Sequence, residues 1–224
     1  MPKYHPDTRF ISDFAAGSLP LSQALCVSAH LHYCEECQGK VSQLTDLGAE
    51  LFNDLEPLTM EKGFSDLMSR IKSLPTNDIE TDPDRLKSKS RSDSVLLAAL
   101  LKLTKNDLDS LDWHAIGKHF RYTELNVNDL ARETSLLSIK AGGNVPKHRH
   151  KGDEITVVLK GSFSDQDGHY QVGDFIVRTQ GEMHEPVAAQ DEDCLCLSTL
   201  DAPIQMTNWI YRLLVPFMKP SVST

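Results

Sequence analysis

Apolar positions along the chain fall into two regimes. Up to about residue 73 they recur every three or four positions, the spacing of one helical face. Phe10, Ile11 and Phe14 follow Asp7, a capping residue, and precede Gly17, a helix stop. Ser18-Leu19-Pro20 opens a longer helix carrying Leu21, Leu25 and Leu31, expected to run to about Leu44. Further helical stretches are expected over residues 46–51 and 61–73, the latter with Phe64, Leu67, Met68 and Ile71. Beyond Trp113 the pattern shortens to strands at 136–139, 155–159, 175–177 and 194–197. Turn signals separate them: Gly142-Gly143, Asp165-Gln166-Asp167-Gly168 and Gly181. Such spacing predicts an antiparallel barrel or sandwich.

Between the two regimes, residues 74–94 are polar and of mixed charge, as a linker would be. A short apolar helix at 96–103 and an apolar tail at 209–217 flank the strand-rich part. The expected fold class is therefore α+β in two domains. A small all-α domain covers residues 1–74, a linker 75–94, and an all-β barrel 95–224. Four short helices make a small core, which a structural metal would reinforce.

Charge and cysteine usage narrow the function. The 224 residues carry 23 Lys and Arg against 32 Asp and Glu, a net charge of −9. That argues against direct binding to nucleic-acid phosphates and for a partner with a basic surface. Residues 1–74 share the bias, with ten acids against six bases. No stretch reaches the ~20 apolar residues of a membrane span, and the polar N-terminus does not read as a signal peptide, so the expected compartment is the cytoplasm. Five unevenly spaced cysteines do not form a disulfide framework.

The first candidate chemistry is His30-Leu31-His32-Tyr33-Cys34-Glu35-Glu36-Cys37. On one continuous helix, steps of four and then three put His30, Cys34 and Cys37 on a common face, a three-donor set for zinc. His5, just before the first helix, is the best fourth donor; His32 and Cys26 compete for the role. The bland alternatives are two core cysteines or a redox pair, and no strand precedes the motif as a thioredoxin-like site requires. The second is Gly142, His148-Arg149-His150, Glu154 and Gly161, followed by Gly173-Asp174 and Gly181-Glu182-Met183-His184. His148, His150 and Glu154 share strand parity, and His184 arrives from another strand, together a divalent-metal set. Zinc, iron, manganese and nickel all accept it, with zinc the default. His114, His119 and His169 read as surface residues. Cys194 and Cys196 read as core-facing neighbours on one strand, with a redox pair as the alternative.

His5 followed by His30-x-x-x-Cys34-x-x-Cys37 resembles the zinc-binding anti-sigma domain. The second set resembles the two motifs of the cupin barrel (a double-stranded β-helix or jelly roll), departing at Thr179 and Ala188, where Pro and Asn are usual. In this order the two resemble the ChrR group of anti-sigma factors. The resemblance implies zinc on His5, His30, Cys34 and Cys37, and a divalent metal on His148, His150, Glu154 and His184. It also implies capture of an extracytoplasmic-function-type sigma factor by the helical domain. The cupin domain would receive an oxidative, singlet-oxygen-like signal that triggers release. No catalytic residue is implied, and a homodimer through the barrel is left open. The competing expectation is a dioxygenase-like cupin metalloenzyme with the zinc domain as an interaction module.

Overall fold

A computed structural model describes residues 1–55, 64–73 and 111–207. The expected linker, the helix at 96–103 and the tail at 209–217 lie outside the described residues. The described residues of the N-terminal part form four helices: α1 (Thr8–Ala15), α2 (Leu21–Tyr33), α3 (Glu35–Asn53) and α4 (Phe64–Ser73). Asp7 caps α1 by accepting the Phe10 N–H at 3.1 Å, and Gly17 follows in the left-handed conformation at φ 68°.

The long helix expected to run from residue 18 to about 44 is instead two helices. Cys34 is extended (φ −124°, ψ 98°) and serves as the N-cap of α3, its sulfur accepting the Cys37 N–H at 3.5 Å. Glu35 and Glu36 then occupy the first turn, where negative charge meets the positive end of the helix dipole. The stretch expected at 46–51 is the later part of α3.

Among the described residues the C-terminal part is all β. Its strands are β1 (His114–Ile116), β2 (Phe120–Glu124), β3 (Glu133–Ile139), β4 (His148–Arg149), β5 (Glu154–Lys160) and β6 (Ser162–Ser164). They continue with β7 (His169–Gln171), β8 (Phe175–Arg178), β9 (Met183–His184), β10 (Val187–Ala188), β11 (Cys194–Leu200) and β12 (Gln205–Met206). One antiparallel sheet runs β1-β2-β3-β11-β5-β8, and two smaller ones run β10-β6-β7 and β12-β4-β9.

The two faces of the large sheet serve different cores, because strand side chains alternate. Ile139, Val158, Ile176, Cys194 and Cys196 pack inside the barrel with Phe163 and Tyr170. Leu136, Ile155, Val157, Phe175 and Leu197 face outward and join Ile11, Cys26, Val27 and Ala29 of the helices in a second buried cluster. In the register, Leu197 sits between Leu136 and Val157, so this apolar patch crosses three strands. Helix α2 lies on it, against β5, β8 and β11. The helices therefore bury their apolar face on the barrel wall as well as against one another. Ser22 Oγ donates to Asp129 Oδ2 at 2.5 Å across the same boundary.

Candidate metal centres

The helical cluster forms where α2, the Cys34 break and α3 meet the N-terminal segment. One donor atom from each of His5, His30, Cys34 and Cys37 lies within 4.8 Å of all the others. His5 Nδ1 stands 3.3 Å from Cys34 Sγ and 3.5 Å from Cys37 Sγ. Donors about 2.0–2.3 Å from a tetrahedral zinc stand roughly 3.5 Å apart, so these spacings fit. The tautomer of His30 fits too. Its Nδ1 donates to the Gly173 carbonyl at 2.6 Å, leaving Nε2 bare, buried and without a partner among the described residues. Burial lowers the His30 pKa, which keeps the ring neutral and able to coordinate. Burial, with the Cys34 sulfur beside it, pushes the Cys37 thiol up to about 12. Thiols so placed ionise readily only against a cation. Cys26 is fully buried in the shared core and outside this set, as is His32.

The break at Cys34 makes this convergence possible. His30 projects from the last turn of α2 and Cys37 from the first turn of α3, so the donors meet across a joint rather than along one helical face.

The barrel cluster joins His148, His150, Glu154 and His184, all buried. These do not lie on one continuous strand. His148 is in β4, a turn intervenes, and Glu154 opens β5, while β9 pairs with β4 and puts His184 directly opposite His148. His184 Nε2 is 2.9 Å from His148 Nε2 and 3.0 Å from His150 Nε2. Glu154 Oε2 is 3.5 Å from His150 Nε2, and its Oε1 accepts from Ser198 Oγ at 2.6 Å. His148 Nδ1 donates to Pro146 O at 2.9 Å and His184 Nδ1 to Asp165 Oδ2 at 3.0 Å. Both Nε2 atoms then present lone pairs to each other at a distance where they repel. A cation between them removes that repulsion. The 2.9–3.0 Å spacings match right-angle positions about 2.1 Å from an ion, which stand roughly 3.0 Å apart.

Electrostatics agrees with that donor set. Burial lowers the His148 pKa to about 4, helped by His184, and burial likewise lowers that of His150. Burial alone would raise Glu154, but His150, His184 and the Ser198 hydrogen bond outweigh it, so the carboxylate is favoured. Two neutral imidazoles and an anion are what a divalent cation takes. A cavity of about 80 Å³ adjoins the cluster, lined by His148, Glu154 and His184 on one side and by Phe120, Leu137 and Phe163 among its apolar residues.

Asp165, which sequence reasoning placed only in a turn, belongs to this site. Besides orienting His184, it pairs with Arg178 at 2.6 Å and receives the Tyr170 hydroxyl at 3.3 Å. Burial opposes its ionisation, but the His184 hydrogen bond, the Asp167 N–H and Arg178 hold its pKa at about 2. His114, His119 and His169 are exposed and outside both clusters. Cys194 and Cys196 face the barrel core with their sulfurs 3.6 Å apart, and Cys196 also lines the cavity.

Fold and sites together define a class: a helical unit with a His₂Cys₂ cluster, seated on a cupin-type barrel with a His₃Glu cluster. Residues 104–202 match the family described as the ChrR cupin-like domain. The anti-sigma-E factor ChrR of Cereibacter sphaeroides is 30% identical over 217 residues, covering 97% of this chain and 98% of the relative. The chain belongs to the ChrR anti-sigma factor family. The crystal structure of Rhodobacter sphaeroides SigE in complex with the anti-sigma ChrR is similar at a TM-score of 0.71 and 27% identity, covering 88% of this chain and 98% of that one. A putative acetylacetone dioxygenase from Methylibium petroleiphilum reaches a TM-score of only 0.40 at 15% identity, covering 46% of this chain and 80% of that one. So slight a likeness carries no argument about chemistry.

Proposed function

We propose that this chain sequesters an extracytoplasmic-function-type sigma factor through its helical part, and that the barrel governs release. The observation that carries the reading is an apolar stripe that stays exposed on the helices among the described residues. Leu47 and Leu51 lie one turn apart on α3, with Phe52 beside them and Leu55 just past the helix end, and α4 repeats the spacing with Leu67 and Ile71. Leu51 is 61% exposed and Phe52 73%, whereas the opposite side of the helical part is buried on the barrel. Exposed apolar surface of this extent, set among acidic residues, suits a partner with an apolar groove and a basic rim. The relatives are anti-sigma factors, one of them in complex with SigE.

His5, His30, Cys34 and Cys37 would hold zinc, which joins α2, α3 and the N-terminal segment into one rigid unit. His148, His150, Glu154 and His184 would hold a divalent cation at the cavity, where an oxidative signal acts. The chain works by binding rather than by turnover. Among the described residues no helix is long and apolar enough to cross a membrane. A release coupling of about 2 kcal/mol changes partner affinity roughly thirtyfold. The test is co-purification of the full chain with its sigma factor. Leu51→Asp with Phe52→Asp should abolish capture without loss of bound metal, and undiminished capture by that variant would refute the assignment of the surface.

A further inference from the structure

The four donors of the helical cluster are held from two different sides. The sulfurs belong to the helices: Cys34 caps α3 and Cys37 lies in its first turn. His30 rides on α2, but its ring is oriented, and the segment that leads to His5 is anchored, by the barrel through the turn between β7 and β8. Gly173 O accepts His30 Nδ1 at 2.6 Å. The carboxylate of Asp174, fully buried, accepts the N–H groups of Lys3 at 2.6 Å and Tyr4 at 3.0 Å with Oδ1, and that of Gln171 at 2.8 Å with Oδ2. Phe175 N donates to Tyr4 O at 2.9 Å, so residues 3 and 4 lie along β8 as far as His5. Gly173 has φ +88°, and a Cβ there would fall 2.6 Å from Tyr33 Cβ and 2.8 Å from Pro2 Cγ. The turn is thus fitted against the helix that carries His30 and the segment that carries His5.

The same turn also reaches the barrel cluster. The Tyr4 ring lies 4.9 Å from that of Tyr170, whose hydroxyl meets Asp165 and Arg178, and Asp165 holds His184. A buried carboxylate with three N–H partners fixes backbone position strongly, because an unsatisfied buried charge is costly.

We propose that Asp174 is a positioning residue of the helical metal centre: through the β7–β8 turn the barrel orients the His30 ring and anchors the segment that carries His5, while the helices place both sulfurs. The barrel thereby sets the affinity of a site that contains none of its own side chains. This rests on reading His5, His30, Cys34 and Cys37 as metal donors, and it gives a signal at the barrel a physical route to the partner-binding unit. Zinc affinity, and not helix content, is the quantity that this turn controls.

The test uses the full chain titrated with Co²⁺, whose thiolate bonds give a charge-transfer absorption that reports only the cysteine-containing site. Loss of a group that orients a ligand typically lowers metal affinity by about 10–100-fold, and Asp174→Ala should do so here. Asp174→Asn, which keeps an acceptor for Lys3 and Tyr4, should fall between that variant and the parent. Lys3→Pro removes one donor without touching the barrel and should weaken binding severalfold, so it carries the test alone if Asp174→Ala does not fold. Leu136→Ala, in the shared core but away from the turn, should lower stability while leaving Co²⁺ affinity at the parent value. Titrations of Asp174→Ala or Lys3→Pro that superimpose on the parent overturn the inference, as does an equal loss in Leu136→Ala. A parent without the absorption overturns the donor reading itself, and the inference with it.

Discussion

Replacement of Ile155 by Ala probes the structural basis of the account, the core shared by helices and barrel. Ile155 is 1% exposed on the outward face of β5, in the cluster that contains Val27 and Ala29 of α2 and Leu197 of β11. Truncation removes three carbons, about 2.4 kcal/mol of transfer free energy at ~0.8 kcal/mol per methylene. The cavity left behind raises the cost toward about 4 kcal/mol, within the range of roughly 2–5 kcal/mol for such truncations. Against a typical total stability of about 5–15 kcal/mol this is a large fraction. Urea unfolding should be followed by two signals, the Co²⁺–thiolate absorption for the helical part and near-ultraviolet circular dichroism for the packed aromatic rings. Because the mutated side chain serves both parts, both midpoints should fall together. Two separate transitions, with the helical one unmoved by Ile155→Ala, would refute the shared core.

Other perturbations address the sites. Cys37→Ala should cost one equivalent of bound zinc and sigma-factor capture together, as measured by metal analysis of the co-purified complex. Asp165→Asn leaves the barrel donors intact but loosens His184, so affinity for the barrel cation should drop about 10–100-fold in competition with a chelator, while the thiolate absorption is unchanged. The Ser22 hydroxyl lowers the Asp129 pKa in the folded chain. A depressed carboxylate contributes stability above its unfolded value of ~3.9 that is lost as pH falls through the folded value. Stability measured from about pH 5 down to 2 should therefore decline more steeply in the parent than in Ser22→Ala.

How far the sequence discloses this architecture depends on the element. Both four-residue clusters are legible because their residue types recur at the fixed spacings that metal ligation needs, and the structure brings each set together; His5 is within reach because it precedes the first helix closely. The helix break at Cys34 departs from the expected continuous helix, and its one signal in the sequence is the acidic pair Glu35 and Glu36, which suits the first turn of a new helix. Periodicity could not reveal it, since His30, Cys34 and Cys37 keep helical spacing across the joint. In β5, the run Ile155-Thr156-Val157-Val158-Leu159 is apolar on both parities, the pattern of a strand covered on both faces. That pattern implies a helical layer on the sheet, where a linker alone suggested separate units. Asp165 and Asp174 were invisible as functional groups because their partners are distant: His184 is nineteen residues from Asp165, and Lys3 is 171 from Asp174.

Sequestration is tested most directly by sigma-directed transcription reconstituted with purified polymerase core. Stoichiometric full-length chain, loaded with metal, should silence transcription by its cognate sigma factor and leave transcription by the housekeeping sigma factor unaffected. Undiminished cognate transcription at saturating, metal-loaded chain would contradict the account.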